Sequence, residues 1–299
     1  MIRMKLMGRL GNQLFIYSLA REIVQKYNTT VLIYDRNKEK DPKWHSRLEH
    51  YNLDPRIKFT SKKLKLYCMN PFRFAIYAFN RYKIKSMTPR ARHEFQLKHM
   101  QSLEKMGFFL LEDGYKELPK SINRNMFFEG FFQSEKYFSD VRKNLLKELV
   151  PKHKFSNDEY NFMKKIESCN SVCVTIRLGD YLKNPTHQVC SIEFYKKAIQ
   201  KMKDRFPNAK FFVFSDDIRL VKEKFQFDDN VEYDTGKMED YASLYIMSKC
   251  KHFIISNSSF SWWAQYLSTN NQKVVIAPSR WYGIDVPCDI YQKNWITLD

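Results

Sequence analysis

One segment near the C-terminus has the residue types of an anion-binding site. Residues 252–267 read HFIISNSSFSWWAQYL, in which a short apolar, β-branched run is followed by a polar turn and an amphipathic pattern. The polar turn consists of Ser256, Asn257, Ser258 and Ser259. All four are good N-cap residues, and the pattern after them predicts a helix that begins at Phe260. The N–H groups of a first helical turn suit a phosphate, although the turn could equally serve only to cap the helix.

Arg177 is a second candidate for anion binding. It directly follows the apolar run 172–176, which predicts a buried strand. A guanidinium at the end of a buried strand is costly unless an anion meets it, and its planar fork fits phosphate oxygens. A salt bridge to Asp180, three residues further on, is the alternative.

Two further loops place polar residues after predicted strands. The first contains Gly8, Arg9, Gly11, Asn12 and Gln13. Its glycines let a bulky ligand approach the backbone, but the Gly-x-x-Gly spacing is not the dinucleotide fingerprint and no P-loop lysine follows. The second contains Ser215, Asp216 and Asp217. These residues could hold a ribose, or they could cap a helix that begins at Ile218.

Alternating strands and helices position these loops. Residues 1–35 predict a parallel βαβ unit, and a long, basic, helical insertion follows before a strand at 126–129. A polar linker begins at Pro151, and beyond it strands and helices alternate. The sequence therefore predicts an α/β protein with two doubly wound, Rossmann-like domains, 1–150 and 151–299, facing a cleft. Ligands of such sheets bind beyond the carboxyl ends of the strands, where all four loops lie.

Composition excludes several classes of protein. The 299 residues are 43% hydrophobic and 16% aromatic, which is enough for globular cores, and no apolar run predicts a membrane span. No signal peptide is predicted, so we expect a cytoplasmic chain. The six cysteines contain no C-x-x-C pair, and neither a histidine cluster nor a D-x-D carboxylate pair predicts a metal site. We expect no cofactor.

The net charge of +18 predicts an acidic substrate, partner or surface. From Pro55 to His93 there is no acidic residue, and basic residues are interleaved with aromatic ones. Such a segment suits an anionic membrane surface or a nucleic acid. A solvated helical hairpin explains the same pattern without any partner.

Four motifs, in this order, resemble a known family. They are GRLGNQLFIYSLA at 8–20, VTIRLGDY at 174–181, FVFSDD at 212–217 and ISNSSFSWWAQYL at 255–267. Together they resemble the bacterial and animal α-1,2-fucosyltransferases of glycosyltransferase family 11, over nearly the whole chain. The resemblance implies a GT-B fold, GDP-β-L-fucose as donor, inversion at the anomeric carbon and no metal. It also implies a C-terminal domain that binds the donor and an N-terminal domain that mainly binds the acceptor.

The resemblance also implies roles for single residues. Arg177 resembles the arginine that binds the β-phosphate of the donor. Ser258 and Ser259 resemble the helix start that cradles this phosphate. Gly11 and Asn12 are similar to a loop that closes over the donor.

This chain departs from the family pattern at three positions. Thr175 stands where the family usually has histidine, and Leu178 stands where it has a second arginine. Ser243 stands where relatives often carry an acid, so Asp240 or Glu239 is the expected substitute for the contact with guanine.

We therefore expect transfer of L-fucose from GDP-β-L-fucose to the 2-OH of a galactose-terminated glycan, such as an O-antigen repeat unit. The expected catalytic residues are Arg177, Asn12 and Asp180, whose carboxylate would accept the proton of the acceptor hydroxyl. The alternatives are a GT-B transferase with another donor or linkage, and a basic protein that binds a membrane or nucleic acid. We expect no nucleic acid partner. We hypothesise that Arg56 to Arg92 dock on the anionic inner membrane, where a lipid-linked acceptor resides.

Overall fold

The computed structural model describes residues 1–35, 45–61, 70–122, 125–179, 181, 184–227 and 230–299, which form two compact units. Unit 1 comprises Met1–Val150 and Asp285–Tyr291, and unit 2 comprises Pro151–Ile284 and Gln292–Asp299. The predicted C-terminal domain, 151–299, includes residues 285–291. They belong to unit 1, where the Asp289 carboxylate accepts a hydrogen bond from the buried Ser134 hydroxyl over 2.5 Å.

Unit 1 is a parallel sheet flanked by helices. Its strands are β1 (Ile2–Lys5), β2 (Val31–Tyr34), β3 (Ile57–Thr60), β4 (Phe108–Leu110) and β5 (Phe127–Glu129). They pair in parallel in the order β3-β2-β1-β5-β4. Its helices are α1 (Leu10–Lys26), α2 (Pro71–Ile84), α3 (Pro89–Lys105) and α4 (Arg142–Glu148). Helix α1 is buried from Gln13 to Val24, as expected for a helix that carries apolar residues on most of its circumference.

The insertion after residue 35 is not wholly helical. Helices α2 and α3 do form there, each with a proline in its first turn and a capping side chain, from Asn70 and Thr88 respectively. Strands β3 and β4 lie in the same stretch and were not predicted. Each has only three or four residues, and runs this short do not reveal a period.

Unit 2 contains a second parallel sheet. Its strands are β6 (Asn170–Ile176), β7 (Ala209–Ser215), β8 (Val231–Tyr233), β9 (His252–Ile254), β10 (Val275–Pro278) and β11 (Ile296–Leu298). They pair in parallel in the order β11-β10-β9-β6-β7-β8. Its helices are α5 (Asn157–Glu167), α6 (Ile192–Arg205), α7 (Ile218–Lys224), α8 (Asp240–Met247) and α9 (Ser259–Leu267). The prediction of two Rossmann-like α/β units is confirmed.

We expect unit 2 to lose stability in mild acid because His252, at the start of β9, is buried and uncharged. Its Nδ1 accepts a hydrogen bond from the Val274 N–H over 3.1 Å, and burial lowers the pKa of its ring from near 6.5 to about 4. The unfolded chain therefore binds a proton between these values and the folded chain does not. The free energy of unfolding should be highest above pH 6.5, and it should fall by on the order of 2 kcal/mol between about pH 7 and pH 5.

Urea unfolding of the protein at the two pH values measures this loss. A His252→Gln variant, which keeps a neutral polar side chain, should show a flatter dependence on pH. An equally steep dependence in that variant would assign the effect to another group.

Candidate functional site

The strand order of unit 2 reverses between β6 and β9. The chain runs outward from β6 through β7 to β8, and then returns to place β9 on the other side of β6. Ligands of open parallel sheets bind at such a reversal, beyond the carboxyl ends of the strands. The loop after β6 begins with Arg177, and the loop after β9 contains the Ser-Asn-Ser-Ser turn. Two of the four predicted loops therefore lie at the reversal.

Asp216 holds Arg177 in place. The Nη1 atom of Arg177 lies 3.3 Å from Oδ2 of Asp216, while Oδ1 of Asp216 accepts a hydrogen bond from the Leu178 N–H over 3.0 Å. The guanidinium carbon also lies 5.0 Å from the centre of the Tyr181 ring. A Cβ atom on Gly179 would lie 2.6 Å from Oδ2, so a glycine is needed for this close approach. The Arg177 side chain is held at several points and remains 21% exposed.

The alternative interpretation of Arg177, a salt bridge to Asp180, concerns a residue that lies outside the described residues. The carboxylate found beside the guanidinium is that of Asp216, from the next strand of the sheet.

The loop after β7 is organised by its own hydrogen bonds. The Asp217 carboxylate caps α7 by accepting from the Leu220 N–H over 2.9 Å, and the Ser215 hydroxyl accepts from the Asp217 N–H over 3.1 Å. Asp216 is occupied with the Arg177 loop. Asp217 therefore caps α7 and Asp216 positions the Arg177 loop, while a ribose contact of Ser215, Asp216 or Asp217 stays a prediction.

Ser256 and Asn257 fix the loop after β9 through hydrogen bonds to other parts of unit 2. The Ser256 N–H donates to the Thr175 hydroxyl over 3.0 Å, and its own hydroxyl lies 3.0 Å from that of Ser261. The Asn257 amide donates to the carbonyls of His187 and Trp281 over 3.1 and 2.9 Å, and only 2% of this residue is exposed. The Asn257 side chain therefore positions this loop, and a contact of Asn257 with substrate stays a prediction.

Ser259 and Phe260 form the accessible start of α9, and Ser258, the residue before the helix, is buried. The helix begins at Ser259, one residue before the predicted start, and no acidic residue lies in its first turn. Within the described part of the chain, the Ser258 side chain makes no capping hydrogen bond. Ser259 and Phe260 are half-buried. Since first-turn N–H groups have no partner inside a helix, this end of α9 has the donors that an anion needs.

Two departures from the family pattern, Thr175 in β6 and Leu178 in the loop after it, have structural roles in this chain. Thr175 accepts the hydrogen bond of Ser256 and so joins the two loops at the strand reversal. Leu178 is buried in the core of unit 2, with Val174, Ile176 and their neighbours. Neither position carries a second cation, and Arg177 supplies the positive charge among the described residues of this loop.

A carboxylate that sequence reasoning missed follows β8. Asp234 is buried, its side chain accepts from the Gly236 N–H over 3.2 Å, and burial raises the pKa of its carboxyl group. Its position directly after a strand was a usable signal. Asp240, the predicted guanine contact, lies in the first turn of α8 and accepts from the Tyr241 N–H over 2.8 Å. Ser243 is buried beside Met247.

The loop after β1 in unit 1 is held by Gln13. The Gln13 amide donates to the carbonyls of Gly8 and His45, both over 3.0 Å, and its oxygen accepts from the Arg47 N–H over 2.9 Å. Gln13 is fully buried and positions this loop, and its contact with substrate stays a prediction. Gly8 has a φ of +72°, and a Cβ there would lie 2.5 Å from Nδ2 of Asn12.

The other predicted residues of this loop lie around the start of α1. Arg9 is exposed and precedes the helix, Gly11 is buried in its first turn, and Asn12 accepts a hydrogen bond from the Gln133 amide over 2.7 Å. As in α9, no acidic residue lies in the first turn. A donor contact of Arg9, Gly11 or Asn12 stays a prediction.

Neither a metal site nor a membrane span emerges from the described residues. No group of three or more His, Cys, Asp and Glu side chains among them is arranged to hold a metal ion. None of the helices they form combines the length and the apolar composition needed to cross a bilayer.

Comparison with known proteins identifies relatives along the whole chain. The family model described as glycosyl transferase family 11 matches residues 1–299. An α-1,2-colitosyltransferase of Escherichia coli is 31% identical over 310 residues, which cover 99% of this chain and 98% of the relative. The O-antigen biosynthesis glycosyltransferase WbnK of Escherichia coli is 26% identical over 313 residues, which cover 98% of this chain and 99% of the relative.

Solved structures provide a match to the fold. The fucosyltransferase NodZ of Bradyrhizobium has a TM-score of 0.50 at 11% identity, covering 88% of this chain and 92% of NodZ. A structure of NodZ α-1,6-fucosyltransferase co-crystallised with GDP has the same TM-score and identity and covers 88% and 91%. At this identity the similarity concerns the fold, and it confirms the predicted α/β class of GT-B type.

Proposed function

The chain belongs to glycosyl transferase family 11, and from this premise we propose that it transfers L-fucose from GDP-β-L-fucose to the 2-OH of a galactose residue. The acceptor in this proposal is a glycan such as an O-antigen repeat unit, in keeping with the similarity to WbnK. The transfer inverts the anomeric carbon and uses no metal. Unit 2 binds the donor, and unit 1 mainly binds the acceptor.

The observation that supports this proposal is that Arg177 and the start of α9 follow the adjacent parallel strands β6 and β9, at the strand reversal of unit 2. Departure of GDP from the sugar places growing negative charge on the β-phosphate. A fixed guanidinium and backbone N–H groups of a helix start stabilise such charge without reorganising during the reaction. Asp216 fixes the guanidinium before the donor arrives, because it holds both Arg177 and the Leu178 N–H.

The remaining roles rest on the sequence. Asp180 is proposed as the base that accepts the proton of the acceptor hydroxyl. Asp240 is proposed to contact guanine from the first turn of α8, and Asn12 and Gly11 are proposed to contact the donor from the start of α1.

A colitosyl transfer is the second candidate, because the relative with 31% identity over nearly the whole chain is named as an α-1,2-colitosyltransferase. Colitose is L-fucose without the 3-hydroxyl group, so the two donors would share the diphosphate site. A pocket that hydrogen-bonds the 3-hydroxyl would reject the deoxy sugar, because its polar groups would be left without partners.

A donor screen with linkage analysis tests both candidates. Purified protein is incubated with a galactose-terminated acceptor and GDP-fucose, GDP-colitose, GDP-mannose or UDP-galactose, and the product is analysed by NMR. We expect α-1,2-fucosyl product from GDP-fucose, and undiminished turnover after EDTA treatment. Product from GDP-colitose alone would replace the first candidate by the second, and product from UDP-galactose alone would refute both.

A GDP-binding assay distinguishes the proposed enzyme from the alternative of a basic protein that binds nucleic acid. Millimolar GDP should raise the melting temperature, since a ligand of the folded state stabilises it. The shift should survive added salt, whereas affinity for RNA falls steeply with ionic strength. A GDP shift that disappears in salt together with RNA binding would favour the nucleic acid alternative.

A further inference from the structure

Helix α2 has an aromatic surface on the side that faces away from the sheet. Phe72, Phe79 and Tyr82 are 70%, 57% and 75% exposed, and with the exposed Ala75 they follow the spacing of one helical face. We call these four residues the aromatic face of α2. Large apolar side chains that are grouped and exposed mark an interaction surface more often than single ones do.

The opposite side of α2 packs against unit 1, which leaves the aromatic face exposed. Tyr77 packs edge-on against Phe127, with ring centres 5.8 Å apart, and donates a hydrogen bond to the Glu129 carboxylate over 2.7 Å. Asn80 and Ile84 are buried on the same side. The helix is therefore fixed to unit 1 by one side, and the three rings of the aromatic face remain mostly exposed.

The arginines of this segment are largely occupied within unit 1, which changes the docking hypothesis made for Arg56 to Arg92. Their ion-pair partners are Asp54 for Arg56, Glu112 for Arg81, Asp285 for Arg90 and Asp113 for Arg92. The cations beside the aromatic face are instead Lys83 and Lys85, both exposed. The Lys83 ammonium lies 5.5 Å from the centre of the Phe79 ring.

We propose that the aromatic face of α2, with Lys83 and Lys85, docks the protein on a bilayer that contains anionic lipid. Aromatic rings and lysines on a helix that lies in the plane of a membrane place the rings at the level of the headgroups and the ammonium groups against lipid phosphates. The net charge of +18 adds a long-range attraction to such a surface. The contact is peripheral and reversible, since one short helix face buries little apolar area. The proposal does not depend on the identity of the sugar donor.

Charge favours this occupant over a second copy of the chain. A symmetric dimer through this face would bring like surfaces together. The segment 55–93 has no carboxylate of its own to offset the lysines of the other copy. An anionic bilayer instead has charge opposite to that of the lysines.

Vesicle co-sedimentation with two matched variants tests the proposal. Phe72→Ser/Phe79→Ser removes two rings of the aromatic face, and these exposed positions should not affect folding. Tyr160→Ser is the control. Tyr160 lies on α5 of unit 2 and is 49% exposed, and the Lys164 ammonium lies 5.3 Å from the centre of its ring. This pair resembles that of Phe79 and Lys83, but it lies outside the aromatic face. Far-UV circular dichroism and the melting temperature establish that both variants fold.

We expect the unmodified protein to sediment with vesicles of phosphatidylcholine and phosphatidylglycerol, and much less with phosphatidylcholine alone. The double variant should bind the mixed vesicles at least about tenfold more weakly, since burial of each ring contributes to partitioning, and Tyr160→Ser should bind like the unmodified protein. Absence of binding to the mixed vesicles, equal binding to both vesicle types, or equal losses in the two variants would overturn the proposal. A lipid-free dimer that the double variant abolishes would assign the face to self-association instead.

Discussion

Replacing Arg177 with alanine is expected to lower turnover by about 10²–10³-fold, the loss seen when an enzyme is deprived of one preorganised donor to a developing anion. The guanidinium is held by Asp216 and lies over Tyr181, so it is in position before any ligand binds. Turnover of a saturating donor and acceptor by the purified variant measures the effect. Arg177→Lys should recover only part of the rate, because an ammonium group keeps the charge but not the planar fork.

Two further variants make this result specific. Arg219→Ala removes another salt bridge of unit 2, to Glu223 over 3.0 Å on the exposed surface of α7, and should leave turnover unchanged. Asp216→Asn keeps Arg177 but removes the charge that its guanidinium pairs with, and it should lower turnover less than Arg177→Ala does. Near-normal turnover of Arg177→Ala would show that this residue does not bind the β-phosphate.

Replacing Trp262 with alanine is expected to destabilise unit 2 by about 3–5 kcal/mol, the range measured for large aromatic residues in protein cores. Trp262 and Trp263 are both fully buried, and the Trp262 ring lies 4.7 Å from that of Tyr266 and 5.1 Å from that of Trp263. The paired tryptophans thus belong to the packing of α9 although they stand in a motif that carries the family resemblance. Urea unfolding measures the loss of stability.

Two milder variants on α9 distinguish packing from donor binding. Trp262→Phe should lower the free energy of unfolding and leave the KM for the donor unchanged. Phe260→Ala, at a half-buried position in the first turn, should raise that KM with a smaller loss of stability. If Trp262→Phe raises the KM and keeps full stability, the assignment of Trp262 to the core is wrong.

The strands that carry Arg177 and its partner Asp216 could be predicted from the sequence, but the pairing of the two side chains could not. Asp180 is the nearest carboxylate along the chain, whereas the structure places the Asp216 carboxylate beside the guanidinium, because β6 and β7 pair in parallel with Ile176 beside Ser215. The residues that follow this pair are Arg177 and Asp216. Both strands were predicted from their apolar runs, but their register is set by packing across the sheet, which a single sequence does not display.

Burial of polar side chains was the other property that the sequence did not reveal. Gln13, Asn257 and Ser259 all follow predicted strands, and all are suitable ligand contacts by residue type. Gln13 and Asn257 are buried and bonded to backbone groups of their own unit, while Ser259 is half-buried at a helix start. The distinction depends on which distant backbone carbonyls lie nearby, such as those of His45 and Trp281.

The assignment of Asp285–Tyr291 to unit 1 affects when that unit can form during synthesis. The chain passes from one unit to the other at 150–151, 284–285 and 291–292. Asp289 supplies the carboxylate for Ser134 and for Lys136, the latter over 2.7 Å. A fragment that ends at Val150 would lack this partner, and on the ribosome unit 1 stays incomplete until residues 285–291 have been translated. The two units are therefore poor candidates for separate expression, and the nascent chain has a late step in which its second half completes its first.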